Sequence, residues 1–205
     1  MSLFTSRGLP LSDYERERDA CGVGFVANIK GERSHELVEK GLLALEHLEH
    51  RGACGCDPES GDGAGAILHI PHDLFAEVCG EAGIKLPGPG VYGVGMVFLP
   101  PSADALKRAK ALLEESVARG GLEVLGWRDV PVDLRHCGKV SQSNKPHIAQ
   151  IFIGRGKENL DEDALERRLY VVRRIAEHAS QATHGELAEH FYLSSLSCRT
   201  VCYKG

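Results

Sequence analysis

Aromatic residues make up only 6% of this 205-residue sequence, and positive charge is in deficit, with 24 Lys and Arg against 29 Asp and Glu for a net charge of -5. The basic residues are scattered, so there is neither an electrostatic stripe nor a stacking platform, which excludes a nucleic-acid surface. Long apolar runs are missing too. The stretch from Leu86 to Leu106 is interrupted by Pro87, Pro89, Pro100 and Pro101 and includes Asp104, so it is no membrane helix. The first 20 residues have no apolar core and close on Asp13-Tyr14-Glu15-Arg16-Glu17-Arg18-Asp19, unlike a signal peptide or an anchor. No internal repeat or low-complexity tract is present. Cysteine is not scarce, but its seven copies are an odd number and sit in apolar or glycine-rich segments, a usage that suits a reducing cytosol.

What is there reads as one ordinary globular core or at most two small domains, with 42% hydrophobic and 26% charged residues. Apolar spacing predicts a helix from a Ser34 cap to about His50, a second over Ala103 to Arg119, and a third from Asp161 to about Ala179. In the third, Leu160 and Leu165 fall at the positions of a hydrophobic staple, and Glu162 and Asp163 suit the positive end of the helix dipole. Strands are expected at Val23 to Ile29, Ala66 to Pro71, Tyr92 to Leu99, Glu123 to Val132, His147 to Ile153 and Phe191 to Val201. Asp133 to Pro146 reads as the longest loop. Strands and helices do not alternate regularly, so the pattern favours an α+β layered architecture with antiparallel pairing.

One stretch carries chemistry. In Asp19-Ala20-Cys21-Gly22-Val23-Gly24-Phe25 a cysteine heads a glycine-punctuated apolar run. Cleavage after Ala20 would leave Cys21 with both a thiol and a free α-amine, so that one residue supplies nucleophile and base. A thiol with a pKa of about 8.5 is only a few per cent ionised at neutral pH, and an amine titrating near ~8 is matched to take its proton. By itself Cys21 reads more readily as a small buried strand residue, the common fate of a free cysteine.

Further blocks decide between the two. Cys21-Gly22-Val23-Gly24-Phe25, Glu39-Lys40-Gly41, Glu49-His50-Arg51-Gly52-Ala53, Ser60-Gly61-Asp62-Gly63-Ala64-Gly65, Gly126-Trp127-Arg128-Asp129-Val130-Pro131 and Phe191-Tyr192-Leu193-Ser194-Ser195-Leu196-Ser197 follow one another in an order that resembles the amidotransferase domain of glutamate synthase large subunits. The resemblance runs from Cys21 to Tyr203-Lys204-Gly205. It implies an α+β fold of the N-terminal-nucleophile (Ntn) hydrolase type, an αββα sandwich with antiparallel sheets that is incomplete in this chain. Residues 1–20 are then a leader and 21–205 the front of a class II glutamine amidotransferase domain. Cys21 would be the nucleophile that hydrolyses glutamine, and the Arg51 guanidinium would reach toward it and favour the thiolate. Arg51 would also neutralise the end of its helix while Gly52 supplies the cap, and the two roles are compatible. No cofactor is expected in this chain. The resemblance implies FMN and an iron-sulfur cluster for a full synthase, and as partners glutamine, the remaining amidotransferase and synthase domains and an electron-donating small subunit.

Other candidates read more plainly. The glycine loop Ser60 to Gly65 lacks the Lys-Ser/Thr of a P-loop and precedes a strand, so it reads as a tight turn organised by Asp62. His47, His50, Cys54 and Cys56 are the one cluster with ligand types, but a Cys-x-Cys without a second spaced pair gives no metal site. Trp127, Tyr170, Phe191 and Tyr192 are expected in the core, and nothing marks Cys198 or Cys202 as catalytic.

An oxyanion hole is also required. The resembling domain supplies it from an Asn-Gly pair, whereas Asn28, Asn144 and Asn159 are the three asparagines here and none precedes glycine. The expectation is therefore a chain inactive alone, whose Phe191 to Tyr203 segment exposes an unpaired edge. The alternative is a non-catalytic binding or scaffolding module of the same fold.

Overall fold

The computed structural model describes residues 22–48, 61, 63–135 and 137–204. It divides into two compact units, residues 1–53 and 54–205.

In the first unit, helix α1 spans His35–Glu46. Ser34 takes the extended conformation of an N-cap, but its hydroxyl makes no capping bond. The helix ends at Glu46, short of the expected His50, where His47 closes it through its backbone N–H; His50 itself lies outside the described residues. Val23 to Ile29 is not a strand. Its alternating apolar residues Val23, Phe25 and Ile29 are exposed, and an extended segment becomes a strand only by pairing, which it does not do among the described residues.

The second unit holds the elements β1 (Gly65–His69), α2 (His72–Glu81), β2 (Tyr92–Leu99), α3 (Ala103–Arg119), β3 (Glu123–Asp129), α4 (Lys139–Ser143), β4 (His147–Gly154), α5 (Glu162–Gln181), α6 (Glu186–His190), β5 (Tyr192–Ser197) and β6 (Thr200–Lys204). All pairings are antiparallel, in a four-stranded sheet of order β3-β4-β2-β5 and a two-stranded sheet of β1 and β6. The chain is thus mixed α and β with antiparallel sheets. β2 is central, and both its faces are covered. Val97 and Leu99 point into a core with Leu113 and Val117 of α3 and Leu165, Leu169 and Val172 of α5. Val94 and Met96 point the other way, into a second core with Phe75 and Cys79 of α2 and Val201 of β6. Each large side chain buried there contributes about 1.5–3 kcal/mol, so the four-stranded sheet is held from both sides.

The Phe191 to Val201 run proves to be two strands in two different sheets. Met96 of β2 pairs with Ser195 and Val97 with Leu193, so Ser194 is an extra residue, a β-bulge. The bulge resets the alternation, which is why Leu193 and Leu196, three apart, both enter the helix-side core. After Ser197 the chain turns at Cys198 and Arg199 and enters β6, which pairs with β1 on one side; among the described residues β5 is the outer strand of its sheet and β6 has no second neighbour, so each keeps the unpaired edge expected of the Phe191 to Tyr203 segment. Two expected core aromatics are corrected as well: Tyr170 is 62% and Tyr192 45% exposed. On α5 the buried stripe is Leu165, Leu169, Val172 and Ala176, and Tyr170, one residue past Leu169, is rotated off it by the helical repeat. Trp127 is partly buried against the core, its indole N–H donating to Glu114 at 2.8 Å.

Candidate functional site

The sequence singles out Cys21 and Arg51, and both lie outside the described residues, as do Asp62, His50, Cys54 and Cys56. Their immediate neighbours are described. Gly22, which follows Cys21, lies against Leu48, three residues before Arg51: a Cβ added to Gly22 would stand 3.1 Å from Leu48 Cδ2. That is tighter than ordinary side-chain contact, so glycine is what lets the chain after Cys21 run close to the end of the first helix. Just before β1, Gly63 has φ +82°, a left-handed backbone open to glycine.

Between the two sheets runs a polar string. Arg128 on β3 is the direct cross-strand partner of Gln150 on β4; its guanidinium donates to Gln150 Oε1 at 2.8 Å, and Gln150 Nε2 donates to the Tyr203 hydroxyl at 3.2 Å. Gln150 is completely buried. A primary amide suits this position because it accepts on one side and donates on the other, leaving neither neighbour unsatisfied. The string thus joins the four-stranded sheet to the strand that ends the chain. A second polar contact sits in the same core, where His72 Nδ1 lies 3.2 Å from the Tyr92 hydroxyl.

At the crossover between the sheets, Glu166 of α5 is the organising group. Its Oε2 accepts from the Cys198 backbone N–H at 2.8 Å, the Ser197 hydroxyl at 3.1 Å and the Cys198 thiol at 3.1 Å. Arg199, the next residue, pairs with Glu162 at 2.8 Å and with Asp163. The first turns of α5 therefore hold the whole turn Ser197 to Arg199. Serines of the bulge complete the join: Ser195 Oγ accepts the Cys202 N–H at 2.9 Å and Ser194 Oγ donates to the Cys202 carbonyl at 3.1 Å.

These surroundings decide which described thiols are inert. Burial, the hydrogen bond to Glu166 and the charges of Glu166 and Glu162 push the Cys198 thiol up to about 12, against a smaller opposing pull from Arg199. Burial also raises the Cys79 thiol, and burial with the nearby Cys79 pushes the Tyr92 phenol up to about 12. A thiol held in its protonated form is no nucleophile at neutral pH. Among the described residues no group of three or more His, Cys, Asp or Glu side chains could hold a metal, and no helix is long and apolar enough to cross a membrane. Sequence reasoning missed Gln150 and Glu166. A glutamine in the apolar run Ile148-Ala149-Gln150-Ile151-Phe152-Ile153 was the signal for the first, since a polar residue inside a buried strand must be partnered.

Comparison with known proteins matches residues 21–205 to the family described as glutamine amidotransferases class-II. The chain is 47% identical over 189 residues to the ferredoxin-dependent glutamate synthase 2 of Synechocystis sp., covering 92% of this chain and 12% of that protein. It is 43% identical over 195 residues to the chloroplastic ferredoxin-dependent glutamate synthase of Oryza sativa subsp. japonica, covering 95% and 12%. To the glutamate synthase [NADPH] large chain of Bacillus subtilis it is 42% identical over 191 residues, covering 93% and 12%.

Proposed function

From membership of the class-II glutamine amidotransferases, the family to which this chain belongs, we propose that it is the glutaminase part of a glutamate synthase, with Cys21 as nucleophile. The observation that carries the reading is that the family match begins at Cys21 itself. Removal of Met1 to Ala20 would expose the α-amine that accepts the thiol proton. The thiolate then attacks the side-chain amide carbon of glutamine, the carbon–nitrogen bond breaks, and the nitrogen leaves as ammonia with the proton returned by the amine. Water hydrolyses the resulting γ-glutamyl thioester and frees glutamate and Cys21. The contact of Gly22 with Leu48 supports an Arg51 close enough to Cys21 to favour the thiolate.

The helix layer, four-stranded sheet and second sheet of the larger unit support the αββα sandwich of Ntn hydrolases. Ammonia would pass to 2-oxoglutarate in a synthase portion carrying FMN and an iron-sulfur cluster. The described residues gather no ligand set that fits such a cluster, and both groups belong in this reading to other domains. The names of the relatives include ferredoxin-dependent and NADPH enzymes, so the electron donor, and with it a small subunit, is a separate question from the glutaminase.

The test is made on the enzyme from its native host. Intact-mass or N-terminal analysis should find Cys21 as the first residue, and Cys21→Ala should abolish glutamine hydrolysis while leaving ammonia-dependent glutamate formation. An active enzyme that retains Met1 to Ala20 refutes the amine chemistry.

A further inference from the structure

The outward stripe of α5 combines apolar exposure with cations in a way that neither the core nor the glutaminase chemistry uses. Tyr170 is 62% and Val171 47% exposed, and a shallow open groove runs beside them, bounded by Arg119 at the end of α3 and by Arg174, Ile175 and His178 of α5. Arg167 and Arg174 stand about one turn to either side of the Tyr170 and Val171 pair on the same exposed face. Among the described residues Arg119 and Arg167 have no ion-pair partner, while the single carboxylate of Glu177 is shared by Arg173 and Arg174. The stripe is therefore locally cationic on a chain whose net charge is -5.

We propose that this face docks a protein partner presenting an acidic amphipathic helix, whose apolar residues cover Tyr170, Val171 and Ile175 and whose carboxylates meet Arg119, Arg167 and Arg174. A helix laid in a groove anchors through residues at turn spacing, the spacing at which this stripe is built. Charge decides against the symmetric alternative: a second copy packed antiparallel about Tyr170 and Val171 sets Arg167 against the partner's Arg174, like against like. The openness of the groove suits a macromolecular surface rather than an enclosed small ligand.

The experiment uses the full chain, isotope-labelled for backbone NMR, and as probe a helical peptide of about 20 residues with leucines on one face flanked by glutamates. Expected are shifts confined to residues 167–179 and Arg119, binding that weakens at least tenfold between low salt and about 0.5 M salt, and a similar loss in Arg167→Glu/Arg174→Glu. Arg167→Glu alone, an exposed change without a lost ion pair, serves if the double variant does not give a folded spectrum. No shifts, shifts elsewhere, or equal binding of the same peptide with lysines for glutamates overturns the proposal. So does concentration-dependent dimerisation that Arg167→Glu alters, which would assign the face to a second copy. None of these readouts depends on glutaminase activity.

Discussion

The backbone N–H of Cys198 donates to the carboxylate of Glu166 at 2.8 Å, tying the turn between the two sheets to the helix packed behind one of them. The same oxygen also accepts from the Ser197 hydroxyl and the Cys198 thiol. Glu166→Ala leaves the buried Cys198 N–H and Ser197 hydroxyl without this acceptor, the thiol keeping the Glu162 carbonyl, and should cost about 1–3 kcal/mol in urea unfolding. Glu166→Gln keeps an oxygen acceptor at the site and should cost less. Equal stability of Glu166→Ala and the parent chain would show that the turn is held without this carboxylate.

Alkaline pH should destabilise the chain through Cys198 and Tyr92. Both are acids whose folded pKa is raised to about 12, from ordinary values of 9.0 and 10.0. Between those values and about 12 the unfolded chain has lost protons that the folded chain keeps, so stability falls as pH rises. Below about 9 the effect is absent. Denaturant midpoints measured from pH 8 to 11 should decline, and Cys198→Ser should flatten part of the decline. In native protein at neutral pH, iodoacetamide should leave Cys198 unmodified while labelling it after unfolding.

At Gly93 the sheet leaves room for a buried side chain of α5. A Cβ there would lie 2.5 Å from Leu169 Cδ1, and Leu169 is fully buried. Replacing a strand glycine by alanine gains about 0.5–1 kcal/mol in chain entropy, but overpacking a buried contact costs about 1–3 kcal/mol. The second effect is larger, so Gly93→Ala should lower the melting temperature. Combining it with Leu169→Ala should lose less stability than the two single changes added together, as expected for residues in contact.

Asp161 caps α5 by accepting the N–H of Ala164 at 2.7 Å. Asp161→Ala should cost about 1 kcal/mol, and Asp161→Asn, which retains the acceptor, only a fraction of that. Thermal or urea unfolding followed by circular dichroism separates the two.

Where local pattern and tertiary environment agree, the sequence was sufficient. Tyr92–Leu99 and Ala103–Arg119 have the bounds that their apolar spacing predicts, and the cap and staple of α5 are where Asp161, Leu160 and Leu165 indicate. The helix His72–Glu81 carries signals that the strand pattern of the preceding residues masks: Pro71 at its start, Asp73 in its first turn, and Phe75 and Cys79 one turn apart on its buried side. The short helices Lys139–Ser143, inside the expected loop, and Glu186–His190 span five residues each and leave almost no periodicity to detect. Val23 to Ile29 has a strand's alternation but not its partner, and pairing is not a local property. Cys21, the proposed nucleophile, is singled out by the sequence alone and lies outside the described residues, whereas the Glu166 clamp joins residues 32 positions apart, a distance no local pattern spans.

The bulge at Ser194 gives β5 one residue that the ladder does not need. Met96 pairs with Ser195 and Val97 with Leu193, so deleting Ser194 would leave Leu193 and Leu196 two apart, in the ordinary alternation of a strand, with both still facing the helix-side core. The loss would fall on the hydroxyl that donates to the Cys202 carbonyl. A single-codon deletion at this point would therefore straighten the strand without exchanging its inside and outside.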